Sequence, residues 1–293
     1  MFLNLPKELV EQLTEATSIA LVEQIKFHPI ITNLGEQPIT TSYVQQGGGG
    51  TPIVLLHGFD SSSLEFRRLF PLLAFQQETW AIDLLGFGFT ERVPKLNFTP
   101  KAISAHLYCF WQTLIKQPII LVGASMGGAA AIDFTLSYPQ AVSKLVLIDS
   151  AGMTKGPPVG RFLFPPLGYL ATSFLSNPKV RQQISLNAYY DKSLASLDAQ
   201  ICARLHLSMP FWREALISFT KSGGYQSFGE KPRKIEQPTL ILWGEHDEIL
   251  GTKDGEKFAQ TIPKSKLIWI KECGHVPHLE KPEITAQQIL DFR

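Results

Sequence analysis

Cysteine is scarce in this chain: Cys109, Cys202 and Cys273 are its three thiols, with no C-x-x-C spacing among them. That argues against a disulfide framework and against a cysteine-built metal site, and free thiols suit a reducing cytoplasm. Net charge is nearly absent too. Lys and Arg number 27 against 26 Asp and Glu, a formal +1, so the chain as a whole offers no electrostatic reason to expect nucleic acid or an anionic membrane as a partner. Neutral or apolar small molecules suit it better. The opening MFLNLPKELVEQLTEA lacks a basic start followed by an apolar block and reads as neither a secretory leader nor a spanning helix. The greasiest stretch elsewhere, RFLFPPLGYLATSFL, is too short and too broken by proline to form an integral membrane segment. No phosphate-cradling loop is present: Gly47 to Gly50 lead into TPIVLLHG, a strand without the required lysine, and Gly86-Phe87-Gly88 lacks the third glycine of a dinucleotide site. Neither a cofactor nor a metal is expected.

What is present is a chain of 293 residues, 44% hydrophobic, enough for one large domain with an insertion or two moderate ones. Its most informative stretch is residues 118–131, PIILVGASMGGAAA. Pro118 to Val122 supplies the apolar run of a strand covered on both faces. The G-x-S-x-G that follows turns sharply into a helix, and Gly123 and Gly127 spare the crowded turn any side chains that would collide with it. The hydroxyl of Ser125 then stands clear of the sheet.

With this motif the sequence resembles the serine-nucleophile members of the α/β-hydrolase superfamily that carry a helical cap. Further stretches fit. HGFDSSSLEF follows the strand at Pro52 to Leu56; DLLGFGFTER matches the family's D-x-x-G-x-G-x-S turn, with Thr90 where serine is usual; GEHDEIL follows the strand at Thr239 to Trp243; and KECGHVPHLEKPE matches its G-H-x-P-x-x-E-x-P loop. Strands alternate with helices, which argues for an α/β fold with a mostly parallel twisted sheet covered on both faces. The alternation stops between about Gly152 and Glu236, where helical segments are separated by Pro and Gly. The expected layout is therefore a core of residues 1–151 and 237–293, with a helix at 5–22, and a helical cap at 152–236. Leu9, Leu13, Ala16 and Ala20 form the apolar stripe of that first helix. Ser62 and Glu65 have capping-box spacing ahead of another, and Asp60 reads as a second cap or as a polar group lining the site.

A serine hydroxyl needs a base within hydrogen-bond reach and a third group that fixes the base's tautomer. Ser125, Asp247 and His275 follow the chain order this fold uses, each at the end of a predicted strand. Asp149 also ends a strand and competes with Asp247. His278 competes with His275, which holds the motif position after Gly274, and reads as a helix-entry or supporting residue; His57 reads as a structural hydrogen-bonder. The resemblance implies that the backbone N–H groups of Phe59 and Met126 form an oxyanion hole. The aromatic run suggests a pocket wall including Phe162, Phe164, Phe174 and Trp212. Serine at position 125 disfavours the family's aspartate-nucleophile chemistries. The expected activity is hydrolysis of a small to medium, largely apolar ester or acyl compound. Carbon–carbon cleavage by the same triad is a second reading, made less apt by the short HGFDSS loop and by Val276 where those relatives carry tryptophan. A triad-bearing ligand-binding or receptor-like protein is a third.

Overall fold

Short apolar runs bounded by glycine, proline and polar turns become the strands of one sheet in the computed structural model, which describes residues 5–154 and 166–292. In chain order these are β1 (Lys26–Ile30), β2 (Ile39–Gln46), β3 (Ile53–Leu56), β4 (Thr79–Ile82), β5 (Ile119–Ala124), β6 (Val142–Ile148), β7 (Thr239–Gly244) and β8 (Ser265–Ile270). Their order across the sheet is β1-β2-β4-β3-β5-β6-β7-β8. The β1–β2 and β2–β4 pairs are antiparallel and the rest parallel. Every residue of β3, β5 and β7 is buried, as strands covered on both faces require. Alternation along β3 then divides the core, with Val54 and Leu56 on one face and Ile53 and Leu55 on the other.

Helices α1 (Lys7–Val10) and α2 (Ala16–Glu23) precede the sheet, and α3 (Phe70–Ala74), α4 (Pro100–Phe110) and α5 (Met126–Ser137) lie between its first six strands. Leu107 of α4 and Phe134 of α5 pack on one face of the sheet, whereas Leu73 of α3 packs on the other. Between β6 and β7 the described residues contain no strand. They form α6 (Leu167–Ser176), α7 (Pro178–Ala188), α8 (Leu197–Cys202) and α9 (Trp212–Lys221). Asn177 caps α7 by accepting the Lys179 N–H at 2.9 Å, with Pro178 in the first turn. After β7 come α10 (Lys253–Thr261), α11 (Pro277–Glu280) and α12 (Pro282–Asp291).

Three local expectations need correction. The helix expected over 5–22 is broken between α1 and α2, because the Asp198 carboxylate of α8 takes the N–H groups of Thr14 (3.1 Å) and Glu15 (2.9 Å). The stripe fails with it: Leu13 is buried, Ala16 is exposed, and α2 buries Ser18, Leu21 and Val22 instead. The helix expected after Ser62 is a 3-10 turn, Ser63–Phe66, followed separately by α3. In the insertion, the spacing of Leu197, Ile201 and Leu205 predicts one apolar stripe, and it too is interrupted. Helix α8 stops at Cys202, so Ile201 and Leu205 are buried while Leu197 faces out.

Candidate active site

Ser125 sits between β5 and α5 with φ 52° and ψ −119°, a left-handed backbone that a side chain rarely adopts. The surroundings enforce it. A Cβ at Gly123 would overlap the Gly127 carbonyl, and one at Gly127 would overlap the Leu56 carbonyl of β3. The Ser125 N–H donates to the Ile148 carbonyl at 2.9 Å, which ties the turn to β6. The serine is half-buried and lines a cavity of about 310 Å³ together with His275, Gly58 and Phe59.

His275 follows β8 in a loop fixed by its own N–H, which donates to the Ala188 carbonyl at 2.7 Å. Its Nδ1 lies 2.9 Å from Asp247 Oδ2, and both residues are buried. Asp247 follows β7. Its other oxygen accepts the N–H groups of Ile249 (2.8 Å) and Leu250 (3.0 Å). Burial alone would raise this carboxyl, but the hydrogen bond and charge of His275, with those two amides, hold it below its ordinary value.

Asp149 ends β6 beside them and makes no such bond. Its Oδ1 accepts the Gly244 N–H at 3.0 Å, and its Oδ2 has no partner among the described residues. Complete burial, and then the charge of Asp247, push its carboxyl well above its ordinary value and so favour its protonated form. The donor atoms of Asp149, Asp247 and His275 lie within 4.8 Å of one another, a spacing that a metal ion would also accept. The His275 Nδ1 is already engaged by Asp247.

The loop after β3 is held from three sides. His57 is fully buried; its Nε2 accepts the Leu84 N–H at 3.1 Å and its Nδ1 lies 2.8 Å from the Gly58 carbonyl, a structural role. Glu65 does not complete the capping box. Ser62 Oγ accepts the Leu64 N–H, while Glu65 turns back to accept the Gly58 N–H at 3.0 Å and lies 3.1 Å from His278 Nε2. Burial would raise the Glu65 carboxyl; the contact and charge of His278 bring it to about 2. Asp60 is not a helix cap either. It lines the cavity and accepts Trp212 Nε1 (2.8 Å) and His206 Nε2 (3.1 Å) on one oxygen and Arg181 Nη1 (2.7 Å) on the other. Burial opposes its ionisation, and His206 and Arg181 overcome that to leave it at about 2. Among the described residues the N–H groups of Phe59 and Met126 have no hydrogen-bond partner.

The cavity wall differs from the one the aromatic run suggested. Phe162 and Phe164 lie outside the described residues. Phe174 is 64% exposed on the outer side of α6, and Trp212 is buried with its indole on Asp60; neither lines the cavity. Leu64, Leu175, Ile184, Tyr189, Ile249 and Leu279 do so. They come from several elements far apart in sequence, which no local pattern could have collected. Glu65 was visible in sequence only as a capping residue.

Residues 51–282 match the family described as alpha/beta hydrolase fold. The Arabidopsis thaliana alpha/beta hydrolase domain-containing protein VTE7 is 35% identical, covering 98% of this chain and 89% of that protein. The 2-hydroxy-6-oxo-6-(2'-aminophenyl)hexa-2,4-dienoic acid hydrolase of Metapseudomonas resinovorans is 28% identical, covering 96% and 94% of the two chains. Among solved structures, a thermophilic esterase from Thermogutta terrifontis superposes with a TM-score of 0.77 at 23% identity, over 91% of this chain and 97% of that one.

Proposed function

Since the chain belongs to the α/β-hydrolase family and is a hydrolase, we propose that it cleaves an ester or acyl bond of a small to medium, largely apolar substrate through an acyl-enzyme. The observation that carries this reading is the 2.9 Å contact of His275 Nδ1 with Asp247, beside a serine that shares one cavity with the imidazole. With Nδ1 committed to the carboxylate, Nε2 is the nitrogen free to work on Ser125. Ser125 Oγ attacks the carbonyl carbon as its proton passes to His275. The imidazolium is stabilised by Asp247, and the proton then goes to the departing alcohol oxygen as the carbon–oxygen bond breaks. Water repeats the sequence on the acyl-serine, releasing the acid and restoring the hydroxyl. The free N–H groups of Phe59 and Met126 hold the oxyanion in both steps; one such donor is worth about 2.7–4 kcal/mol in a protease case. The helices of 152–236 serve as the cap that roofs the cavity, and the apolar side chains of its wall favour an apolar acyl or alcohol group.

The test is intact-mass spectrometry after a fluorophosphonate, with p-nitrophenyl esters as substrates. A single adduct that maps to Ser125 and is lost in Ser125→Ala, together with loss of ester turnover, is the expected result. Wild-type turnover by Ser125→Ala would overturn the mechanism. Hydrolysis of a carbon–carbon bond by the same residues is a second reading, favoured by the ring-fission-type substrate named for the Metapseudomonas relative. Turnover of a 2-hydroxy-6-oxo-dienoate with no measurable esterase activity would establish it in place of the first.

A further inference from the structure

Helix α6 carries no charged residue, LGYLATSFLS, yet much of it faces solvent. Leu167, Leu170 and Phe174 are 46%, 62% and 64% exposed. Spacings of three and four residues put them on a single outward stripe, and the opposite side of the helix buries Gly168 and Thr172. Isolated exposed leucines are ordinary; a charge-free helix with an entire apolar face turned outward marks a surface that meets something.

The stripe borders the entrance to the catalytic cavity. Leu175, next to Phe174, lines that cavity, and so does Ile184 of the neighbouring helix α7, itself 48% exposed. The stretch of sequence that contains it is rich in cations, although the whole chain is almost neutral. Residues 152–236 hold eleven Lys and Arg against five Asp and Glu, while the remainder holds sixteen against twenty-one. Between Asp149 and Asp191 the sequence contains no acidic residue. Lys179 is exposed at the start of α7, and Lys221 of α9 shares a groove with Tyr169 of α6, as does one acid, Glu214.

We propose that the outer face of α6, with Lys179 and Lys221 beside it, forms a docking surface for an anionic lipid bilayer. Apolar side chains pointing outward beside Lys179 and Lys221 match a layer whose headgroups are negative and whose interior is apolar. A second copy of the chain fits less well, since pairing the same face would set the lysines beside the stripe, Lys179 and Lys221, against their own like charges. Docking here would set the cavity mouth against the source of an apolar molecule. The surface does not depend on the bond that is cleaved, because its recognition uses neither Ser125 nor His275.

The experiment is flotation of the full chain with vesicles of phosphatidylcholine alone or mixed with phosphatidylglycerol. The protein is expected to float with the mixed vesicles, to float at least tenfold less with phosphatidylcholine alone, and to detach as salt is raised. Leu170→Ser/Phe174→Ser and, separately, Lys179→Glu should lower flotation several-fold with an unchanged melting curve, since all three side chains are exposed. Ser125→Ala should float like the wild type, which keeps this test separate from the ester reading. No flotation with the mixed vesicles, or equal flotation of the double variant, overturns the proposal. So does a concentration-dependent dimer, seen by analytical ultracentrifugation and abolished in the double variant, because a second copy would then own the surface.

Discussion

Asp149 and Asp247 end adjacent parallel strands, β6 and β7, and their surroundings drive their protonation apart. One keeps its charge on His275; the other is buried without a counter-ion. Asp247→Asn should therefore lower kcat by orders of magnitude, because an amide no longer fixes the imidazole tautomer or balances its charge. Asp149→Asn puts an amide of the same shape where burial disfavours a charge, and its oxygen can still accept the Gly244 N–H. Its kcat should stay within about tenfold of wild type, measured on the same ester. Its stability should differ from wild type with a definite sign. A carboxyl whose folded pKa is raised favours the fold less as pH climbs from its unfolded value toward its folded one, so Asp149→Asn should melt higher than wild type at pH 8, with the gap closing near pH 4. A reversed ranking of the two kcat losses would move the acid to β6. Glu65 belongs to the same scale. Glu65→Gln keeps an acceptor for the Gly58 N–H but loses the charge facing His278. If it positions the loop before Phe59, kcat should fall about tenfold with KM little changed, in steady-state measurements on one ester.

At the level of elements, much was legible in sequence wherever one local rule decides the outcome. The strands read at Pro52 to Leu56 and at Thr239 to Trp243 are β3 and β7 to within one residue, and the G-x-S-x-G turn is fixed by two glycines that face carbonyls. Thr90, the departure from the usual serine, still donates its hydroxyl to the Asp83 carbonyl at 2.7 Å. Long-range partners override local signals elsewhere. Glu65 has a cap's spacing but is faced by His278, Asp60 has a cap's identity but is taken by three side chains of the helical insertion, and the first helix is split by a carboxylate 184 residues away. None of those partners is marked in the sequence around the residue it captures. The cavity wall carries its own prediction. Each substrate methylene buried there is worth about 0.8 kcal/mol, so kcat/KM over p-nitrophenyl esters from acetate upward should rise several-fold per carbon until the space is filled. With about 310 Å³ available, the rise should stop at a medium chain. A profile flat or falling from acetate would sink the apolar-pocket reading.

Across the whole molecule, two buried carboxylates set the behaviour in acid. Asp60 and Glu65 both titrate at about 2, each held down by cationic or histidine partners against the effect of burial. Depressed folded pKa values give stability that is complete above the unfolded value, near 4, and is lost as pH falls through 2. The melting temperature should thus decline steeply below pH 4, and Asp60→Asn should flatten that decline while lowering stability at pH 7, by calorimetry. The loss at neutral pH follows from Arg181, whose buried guanidinium would be left without its counter-charge.

The split at the N-terminus has a consequence for anyone exchanging parts between relatives. Asp198 of the insertion grips the amides of Thr14 and Glu15, Ser196 donates to the Glu15 carboxylate at 3.0 Å, and Glu15 pairs in turn with Arg68 of the body. In mechanical terms the first two helices are a clasp, and the insertion it closes on lies far downstream in the sequence. A chimera that transplants residues 152–236 alone would leave the Asp198 carboxylate without its amides and Glu15 facing a foreign surface. The unit that can be grafted is therefore discontinuous: the insertion together with the segment that runs from α1 through α2.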